Sequence, residues 1–379
     1  MPDRLSVAQG EFELNRLPKR PRELLQAWDA ADEYLLDTAA EQLKRLNSAR
    51  VLIVNDSFGA LAVALSAFRP YAISDSYLSQ QATRLNLTVN GLPEHSVSLL
   101  NSLEMPEGIF DLVLIKVPKT LALLEDELIR LRPHLTASTQ VIVAGMIKNL
   151  PPSVWKLLER LVGPTTTSLA RKKARLIFAS FDTELSVPSS PYPVCYRLEN
   201  TDYLISNHAN VFSRDSLDIG TRFFLQHLPS RPDACNIIDL GCGNGLVGLI
   251  AAERSPAATV HFVDESFMAV ASAKENFQRV FGEQREATFC VGDGLMEVES
   301  ESADLILCNP QFHQQNTIGD QIAVSLFKQS RRVLRKGGEL WVIGNRHLNY
   351  HSYLDRLFGA HSIIASNSKF IIVKAVFVG

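Results

Sequence analysis

The apolar positions of this chain fall into short runs that alternate with amphipathic stretches. Residues 22–46 carry apolar side chains at three- and four-residue spacing, which predicts an amphipathic helix or a pair of helices. Residues 51–65 then predict a short apolar strand, a turn at Asn55–Gly59 and a helix. Further short strands are predicted at Tyr71–Ser74, Asp111–Val117, Gln140–Ala144 and Arg175–Ser180. This alternation indicates an α/β fold, a mostly parallel, doubly wound sheet with helices on both faces.

The same pattern starts again in the second half of the chain. A polar, proline-rich stretch over residues 187–193 has the composition of a linker or a short extended crossing. After it, residues 236–252 again predict a strand, a turn and a helix. Further strands are predicted at Val260–Asp264, Ala287–Val291, Asp304–Cys308, Glu339–Ile343 and Phe370–Phe377. We therefore expect a first domain over 1–186, a connection over 187–200 and a second domain over 201–379.

The two halves have the features of a diverged internal duplication. The matching segments are 110–119 with 303–312, 131–145 with 333–344, and 168–181 with 362–377. Two copies of one α/β unit, joined near residue 190, explain these matches economically. The copies differ at the positions that could carry chemistry, so the functional prediction depends on that difference.

Composition and charge are those of an ordinary globular protein. Of 379 residues, 46% are hydrophobic, and 38 basic and 41 acidic residues give a net charge of −3. This charge argues against a protein that coats nucleic acid by bulk electrostatics, although it is compatible with a local basic patch. No apolar run approaches the roughly 18 residues of a membrane span, and the N-terminal residues lack a signal-peptide core, so we expect a cytoplasmic protein. The five cysteines form no C-x-x-C pair, so neither a metal site nor a disulfide framework is predicted.

A glycine-rich turn marks the start of the second copy. The run Asp239-Leu-Gly-Cys-Gly-Asn-Gly lies where an apolar strand ends and a helix begins. Glycines there permit a tight turn and let a ligand approach the backbone at the positive end of the helix dipole. Gly243, Gly245 and Gly248 also match G-x-G-x-x-G, which alone suggests a dinucleotide. Asp239 would repel a pyrophosphate, however, and suits a cationic amino group contacted directly or through water.

Two further carboxylates refine the ligand. Asp264 ends the next strand and is placed to accept both hydroxyls of a ribose, and Asp293 follows the third strand and could accept from an adenine amino group. A ligand with an ammonium group, a ribose and adenine but no phosphate is S-adenosylmethionine. The ordered set resembles the cofactor site of class I S-adenosylmethionine-dependent methyltransferases. The residues expected to bind the cofactor are Asp239, Gly241, Gly243, Gly245, Asp264, Asp293 and Asn309.

The fourth strand of the second copy ends in Asn309-Pro-Gln-Phe312. Asn309 supplies an amide oxygen at the carboxyl edge of the sheet, where ligands bind in such folds. Pro310 fixes the backbone so that carbonyl groups can point into the cleft, and Phe312 offers a face on which a planar base can stack. We therefore expect Asn309, Pro310 and Phe312 to be catalytic. The tetrapeptide resembles the Asn-Pro-Pro-(Phe/Tyr) motif of methyltransferases that act on exocyclic amines and amides, with Gln311 in place of the second proline.

A segment upstream of the glycine turn narrows the resemblance. Residues 207–221, which include Val-Phe-Ser and Leu-Asp-Ile-Gly-Thr, resemble the entry segment of the bacterial ribosomal RNA guanine-N2 methyltransferases, where it lines the cofactor pocket. With the duplicated halves, the glycine turn and the Asn309 motif, nearly the whole chain resembles types C and G of that family. The pattern is closest to the large-subunit type, which implies a guanine of 23S ribosomal RNA as substrate. Because bases in a duplex are hidden, we expect that guanine to be unpaired or flipped out.

The first copy lacks these chemical groups. Asn55-Asp-Ser-Phe-Gly replaces the glycine-rich turn, with Phe58 expected in the cofactor space, and Lys116 replaces the amine acceptor, whereas Asp75 is expected to correspond to Asp264. We expect this half either to bind RNA or to stabilise the active half, and we favour RNA recognition. The basic residues that could contact phosphates are Lys19, Arg20, Arg22, Arg171, Lys172, Lys173 and Arg175.

Three alternatives stay open at this point. The first is another amine: a guanine of small-subunit ribosomal RNA, adenine N6 or a protein glutamine. The same tetrapeptide serves such enzymes, and nothing in the local sequence of the pocket selects among these amines. A nicotinamide-dependent oxidoreductase would use Gly243, Gly245 and Gly248, although Asp239 and the absence of an evident hydride-site acid argue against it. A binding protein without a reaction is the third alternative.

Overall fold

The computed structural model describes residues 4–19, 23–45, 48–310 and 317–379. The chain divides into two units, Met1–Tyr192 and Pro193–Gly379, each with its own core. Across the described ranges, no helix is long and apolar enough to cross a membrane.

The first unit is built around a seven-stranded sheet of order β5-β4-β3-β6-β7-β9-β8, beside a separate hairpin, β1-β2. Its elements are β1 (Arg4–Val7), β2 (Gly10–Glu13), α1 (Ala30–Leu43), β3 (Val51–Val54), α2 (Ala60–Ala64), β4 (Tyr71–Ser74), α3 (Tyr77–Val89), β5 (Ser98–Asn101), β6 (Leu112–Lys116), α4 (Leu121–Leu131), β7 (Gln140–Met146), α5 (Pro152–Leu161), β8 (Thr165–Thr167) and β9 (Ala174–Ala179). Strands β3 to β7 are parallel, and β9 runs antiparallel to both β7 and β8.

The second unit repeats this arrangement, with a hairpin, β10-β11, and a seven-stranded sheet of order β14-β13-β12-β15-β16-β18-β17. Its elements are β10 (Val194–Arg197), β11 (Leu204–Asn207), α6 (Ile219–His227), β12 (Asn236–Leu240), α7 (Leu246–Arg254), β13 (Thr259–Asp264), α8 (Phe267–Phe281), β14 (Ala287–Val291), β15 (Ala303–Cys308), α9 (Thr317–Val333), β16 (Leu334–Asn345), α10 (Tyr350–Phe358), β17 (Ser362–Ser366) and β18 (Phe370–Val376). The predicted α/β class and the two tandem doubly wound sheets are confirmed.

The strands that alternate with helices were predictable because parallel strands buried on both faces are nearly continuous apolar runs. All four residues of β3 are buried, for example. The hairpins were not predicted, since they are short and half-exposed. One of their strands, β10, lies inside the predicted connection 187–200. The helix predicted within 22–46 begins at Ala30, because Asp29 caps it through the backbone N–H groups of Ala31 and Asp32.

Strand register shows which residues of the two units correspond. The N–H of Asn55 donates to the carbonyl of Ile73, and the N–H of Gly241 donates to that of Val263, each at the end of the first strand of its sheet. One residue further along each strand, Ser74 of the first unit corresponds to Asp264 of the second. The expectation that Asp75 corresponds to Asp264 is therefore wrong by one residue, because the register rather than the residue type fixes the correspondence.

Candidate active site

A cleft opens at the carboxyl end of the central strands of the second unit. Its lining comes from β10, the segment before α6, the starts of α6 and α7, the turn between β12 and α7, and the residue after β15. The lining residues are Tyr196, Phe212, Ser213, Leu217, Asp218, Thr221, Gly241, Cys242, Gly243, Asn244, Leu246, Val247 and Asn309. The structure thus brings together Gly241, Gly243 and Asn309, which the sequence predicted to share a site.

The glycine turn provides open space where a cofactor would lie. Gly241 has φ +72° and Gly243 has φ +53°, a backbone region that L side chains rarely adopt. A Cβ built on either residue meets no atom within 4 Å, so it would occupy empty space at the cleft instead of packed protein. Bare backbone at this place fits a ligand that approaches closely, as the S-adenosylmethionine prediction requires.

The next two glycines of the turn have a different role. Gly245, with φ +78°, lies where a Cβ would be 2.7 Å from the Cβ of Ala273. A Cβ on Gly248 would be 2.4 Å from the ring of Phe262. Both glycines therefore allow α7 to pack closely against its neighbours, and neither lines the cleft. The predicted cofactor contact of Gly245 stays a prediction.

Asp239 lies beneath the turn. It is only 2% exposed, and its Oδ2 accepts a hydrogen bond of 2.7 Å from the N–H of Gly248. Burial raises the pKa of the Asp239 carboxyl to about 8, opposed by the hydrogen bond from Gly248 and reinforced by the negative charge of Asp264. The carboxyl therefore supports the start of α7 from below and does not itself line the cleft.

The other two predicted carboxylates, Asp264 and Asp293, lie at the end of β13 and just after β14. Asp264 accepts from the N–H of Gly243 at 2.9 Å and from the N–H of Ser266 at 3.0 Å, so it holds the turn in place. Asp293 follows β14 and is half-buried, and burial raises the pKa of its carboxyl.

Asn309 is the first residue after β15 and lines the cleft. Because Cys308 pairs with Leu240 in the sheet, Asn309 lies beside Gly241, the first glycine of the turn. Its Nδ2 donates to the Oγ1 of Thr221 at 3.0 Å, which ties the end of β15 to the first turn of α6. Pro310 follows and is partly exposed. Phe312 lies outside the described residues.

A hydrogen-bonded network that the sequence analysis did not assign completes one wall of the cleft. Asn244 Nδ2 donates to Asn207 Oδ1 at 2.9 Å and to the Tyr196 hydroxyl at 3.3 Å. Burial raises the pKa of Tyr196, opposed by the bond from Asn244. Asn207 was signalled by its place in the resembling segment 207–221, but Tyr196 carried no signal because it lies within the predicted connection.

The corresponding site of the first unit is closed by internal ion pairs. Lys116 follows Ile115, the partner of Val54, just as Asn309 follows Cys308, the partner of Leu240. Its Nζ lies 2.8 Å from Asp29 Oδ1 and 2.7 Å from Asp32 Oδ1. Burial lowers the pKa of Lys116, but these two carboxylates outweigh it and leave the pKa raised.

The glycine turn is also replaced by packed protein in the first unit. The carboxylate of Asp56 accepts hydrogen bonds from four consecutive N–H groups, those of residues 59–62. Phe58, expected in the cofactor space, packs against the hydrophobic core, and the guanidinium carbon of Arg16 lies 4.5 Å from the centre of its ring. In the first unit, the protein's own side chains therefore fill the turn that is open in the second unit.

The predicted basic residues differ in their surroundings. Arg171 pairs with Asp37 at 2.5 Å, and Lys172 pairs with Glu33 at 2.6 Å. Lys19 and Lys173 are exposed, and Arg175 is partly buried. Arg20 and Arg22 lie outside the described residues.

The fold and the site together define a class I S-adenosylmethionine-dependent methyltransferase with a duplicated sheet. Two family models match the chain, the RLMG N-terminal domain over residues 2–183 and the methyltransferase small domain over residues 202–374. The chain is 51% identical to the ribosomal RNA large subunit methyltransferase G of Ectopseudomonas mendocina, over 96% of this chain and 97% of that protein. It is 47% identical to the same-named protein of Streptomyces griseus, over 99% of each chain. The chain belongs to the ribosomal RNA large subunit methyltransferase G family.

A solved structure has the same fold over both units. It is a 16S rRNA N2 guanine methyltransferase of T. thermophilus in complex with AdoMet and guanosine. The TM-score is 0.76 at 19% sequence identity, and the match covers 100% of this chain and 98% of the other. At this identity the likeness concerns the fold, which in both proteins is a pair of tandem units.

Proposed function

We propose that this protein transfers a methyl group from S-adenosylmethionine to the exocyclic N2 of a guanine in 23S ribosomal RNA. The observation that carries the proposal is the position of Asn309, which lies on the same cleft as the open glycine turn at Gly241 and Gly243. An amide acceptor next to a cofactor cradle suits an amine substrate. The full-length relatives named as large-subunit methyltransferases support the choice of 23S RNA.

The chain would hold the target amine by hydrogen bonding. Asn309 Oδ1 and the carbonyl of Pro310 would accept the two N2 hydrogens, which aims the nitrogen lone pair at the methyl donor. These acceptors also stabilise the positive charge that grows on nitrogen during transfer. No strong base is required, because the alkylated nitrogen becomes acidic and releases a proton. Phe312 would stack on the base, and positioning would supply much of the rate.

S-adenosylmethionine, when bound, supplies an electrophilic methyl group on a sulfonium. The backbone of Gly241, Gly243 and Gly245 would lie against the bound cofactor. Asp264 would accept from the ribose hydroxyls, Asp293 from the adenine amino group, and Asp239 would act on the ammonium group through water. Asn309, at the end of the strand next to β12, would contact both the cofactor and the base.

We assign catalysis to the second unit and RNA recognition to the first. A catalytic pocket of this kind would reach only one nucleotide, so selection of a guanine within a large RNA needs further surface. Lys19 and Lys173 are exposed on the first unit. The target guanine would be unpaired or flipped out, since N2 of a paired guanine is engaged in the duplex. A ribosomal RNA substrate also implies a cytoplasmic protein.

A deletion strain tests the proposed reaction. Nucleosides from its 23S RNA should lack one N2-methylguanine, which the wild-type gene should restore and Asn309→Ala should not. Asn101→Ala, at the end of β5 in the first unit, is the matched control and should restore the mark. Loss of a different modified nucleoside, or restoration by Asn309→Ala, would refute the assignment.

A further inference from the structure

Three side chains form a hydrogen-bonded chain along the wall of the cleft. Asp218 caps α6, and its Oδ2 accepts from both the N–H of Thr221, at 2.9 Å, and the Thr221 hydroxyl, at 3.4 Å. Thr221 Oγ1 in turn accepts from Asn309 Nδ2 at 3.0 Å. All three residues line the cleft, and Thr221 is 8% exposed.

The direction of these bonds follows from chemistry. An ionised carboxylate can only accept, so the single hydroxyl hydrogen of Thr221 points to Asp218. The hydroxyl can then only accept from Asn309, which must present its NH₂ group to Thr221 and its carbonyl oxygen to the other side. Asn309 Oδ1 therefore points away from Thr221 and has no hydrogen-bond partner among the described residues.

The first unit shows the same contact with different chemistry. Asp32 and Thr221 are both the third residue of the helix that follows a capping aspartate, Asp29 or Asp218. Asp32 bonds Lys116, and Thr221 bonds Asn309 at the corresponding strand end. Asp32 and Lys116 form an ion pair, whereas the bond between Thr221 and Asn309 involves the amide NH₂ and not the amide oxygen. The contact between strand end and helix is thus common to both units, and only its chemistry differs.

We propose that Thr221 is a positioning residue that fixes the orientation of the Asn309 amide, so that its oxygen faces the amine to be methylated. This inference rests on the proposed function. Without the threonine hydroxyl, the amide could rotate and present NH₂ to the substrate amine, which is also a donor. Cofactor binding should be affected less than methyl transfer, since the Thr221 hydroxyl bonds Asp218 and Asn309 rather than the backbone of the glycine turn.

Thr221→Val tests the proposal, because valine keeps the shape of the side chain but removes the acceptor. With purified full-length protein, 23S RNA and labelled S-adenosylmethionine, we expect kcat to fall at least tenfold, while KM for S-adenosylmethionine changes less than threefold. Thr221→Ser retains the hydroxyl and should recover most of the wild-type kcat. Thr139→Val, which removes a buried hydroxyl in the first unit, is the control for stability loss alone and should leave kcat unchanged.

The outcomes separate the two proposals. A wild-type enzyme that forms N2-methylguanine, together with an unaltered kcat in Thr221→Val, overturns the positioning role only. So does a Thr221→Ser variant as slow as Thr221→Val, since the retained hydroxyl would then not be sufficient to orient the Asn309 amide. A wild-type enzyme that forms no N2-methylguanine in any 23S RNA, protein-free or assembled, overturns the proposed function and the positioning role with it. If Thr221→Val unfolds at the assay temperature, Thr221→Ala takes its place with the same expectations.

Discussion

Asn86 and Asn276 make the same three hydrogen bonds in the two units. Asn86 Oδ1 accepts from the N–H of Asn15, and its Nδ2 donates to the carbonyls of Asn15 and Phe58 at 2.9 and 2.8 Å. Asn276 repeats these bonds with Ser206 and with the carbonyl of Asn244, at 2.7 to 2.9 Å. In each unit one buried amide therefore joins a helix to the turn after the first strand of the sheet and to the end of the hairpin, at Ser206 within β11 or at Asn15 just after β2. This shared set of three hydrogen bonds supports duplication of the whole unit, including the hairpin that sequence patterns did not predict.

This equivalence predicts equal structural effects and unequal functional ones. Asn86→Ala and Asn276→Ala each remove three bonds and should lower the free energy of unfolding by about 2–3 kcal/mol, because buried partners are left unsatisfied. Only Asn276→Ala should weaken S-adenosylmethionine binding, since only its turn borders the cleft. Denaturant unfolding and calorimetry measure the two effects. An equal loss of affinity in both variants would contradict the assignment of the cofactor to the second unit.

The glycines of the turn should separate binding from folding. Gly243→Ala places a methyl group in open space at the cleft and should weaken S-adenosylmethionine binding at least tenfold, with an unfolding cost of only about 1–2 kcal/mol for its positive φ. Gly245→Ala pays the same backbone cost and also collides with Ala273, so it should lower the melting temperature further. Calorimetry and thermal unfolding would distinguish them, and unchanged affinity in Gly243→Ala would argue against the proposed cradle.

Lys116 should matter for stability and not for methyl transfer. Lys116→Met leaves Asp29 and Asp32 without their cation, and removal of one partner of a buried ion pair costs about 3–5 kcal/mol. Thermal unfolding should therefore show a marked loss, whereas kcat measured below the melting temperature should stay at the wild-type value. Lys119→Met removes an exposed lysine close by and should alter neither. A drop in kcat for Lys116→Met alone would mean that the first unit contributes to the reaction.

Glu127 should make stability depend on pH. Burial raises the pKa of its carboxyl to about 8, opposed by a hydrogen bond from Asn55 and reinforced by Asp75 and Asp126. The folded protein then keeps a proton that the unfolded chain releases above its ordinary pKa of 4.5, so stability falls as the pH rises from about 4.5 to 8.

Glu127→Gln should remove this fall. Melting temperatures of the variant and the wild type should therefore diverge between pH 5 and pH 8, in favour of the variant. The exposed Glu107→Gln is the control and should follow the wild type at every pH. If the melting temperatures of Glu127→Gln and the wild type changed with pH in the same way, Glu127 would be ionised in the folded protein at neutral pH.

The exposed lysine in the turn before β9 should affect RNA affinity. Lys173→Gln removes one charge from the first unit, so KM for 23S RNA should rise about threefold and the salt dependence of binding should become less steep, with kcat unchanged. Lys156→Gln removes an exposed charge on α5 and serves as the control. Steady-state kinetics at two salt concentrations measures both effects. Equal behaviour of the two variants would argue against a specific contact by Lys173.

The sequence alone determined the two α/β halves, the glycine turn and the chemistry available at Asn309. These features are local: buried parallel strands are apolar runs, and a strand-to-helix turn with glycines leaves a recognisable run of residues. Tertiary structure decided which glycines border the cleft, that Ser74 and not Asp75 corresponds to Asp264, and that Asn309 bonds Thr221. Those relationships depend on strand register and on the order of strands in the sheet. Asn309 and Thr221 are 88 residues apart, and no periodicity in the chain encodes their contact.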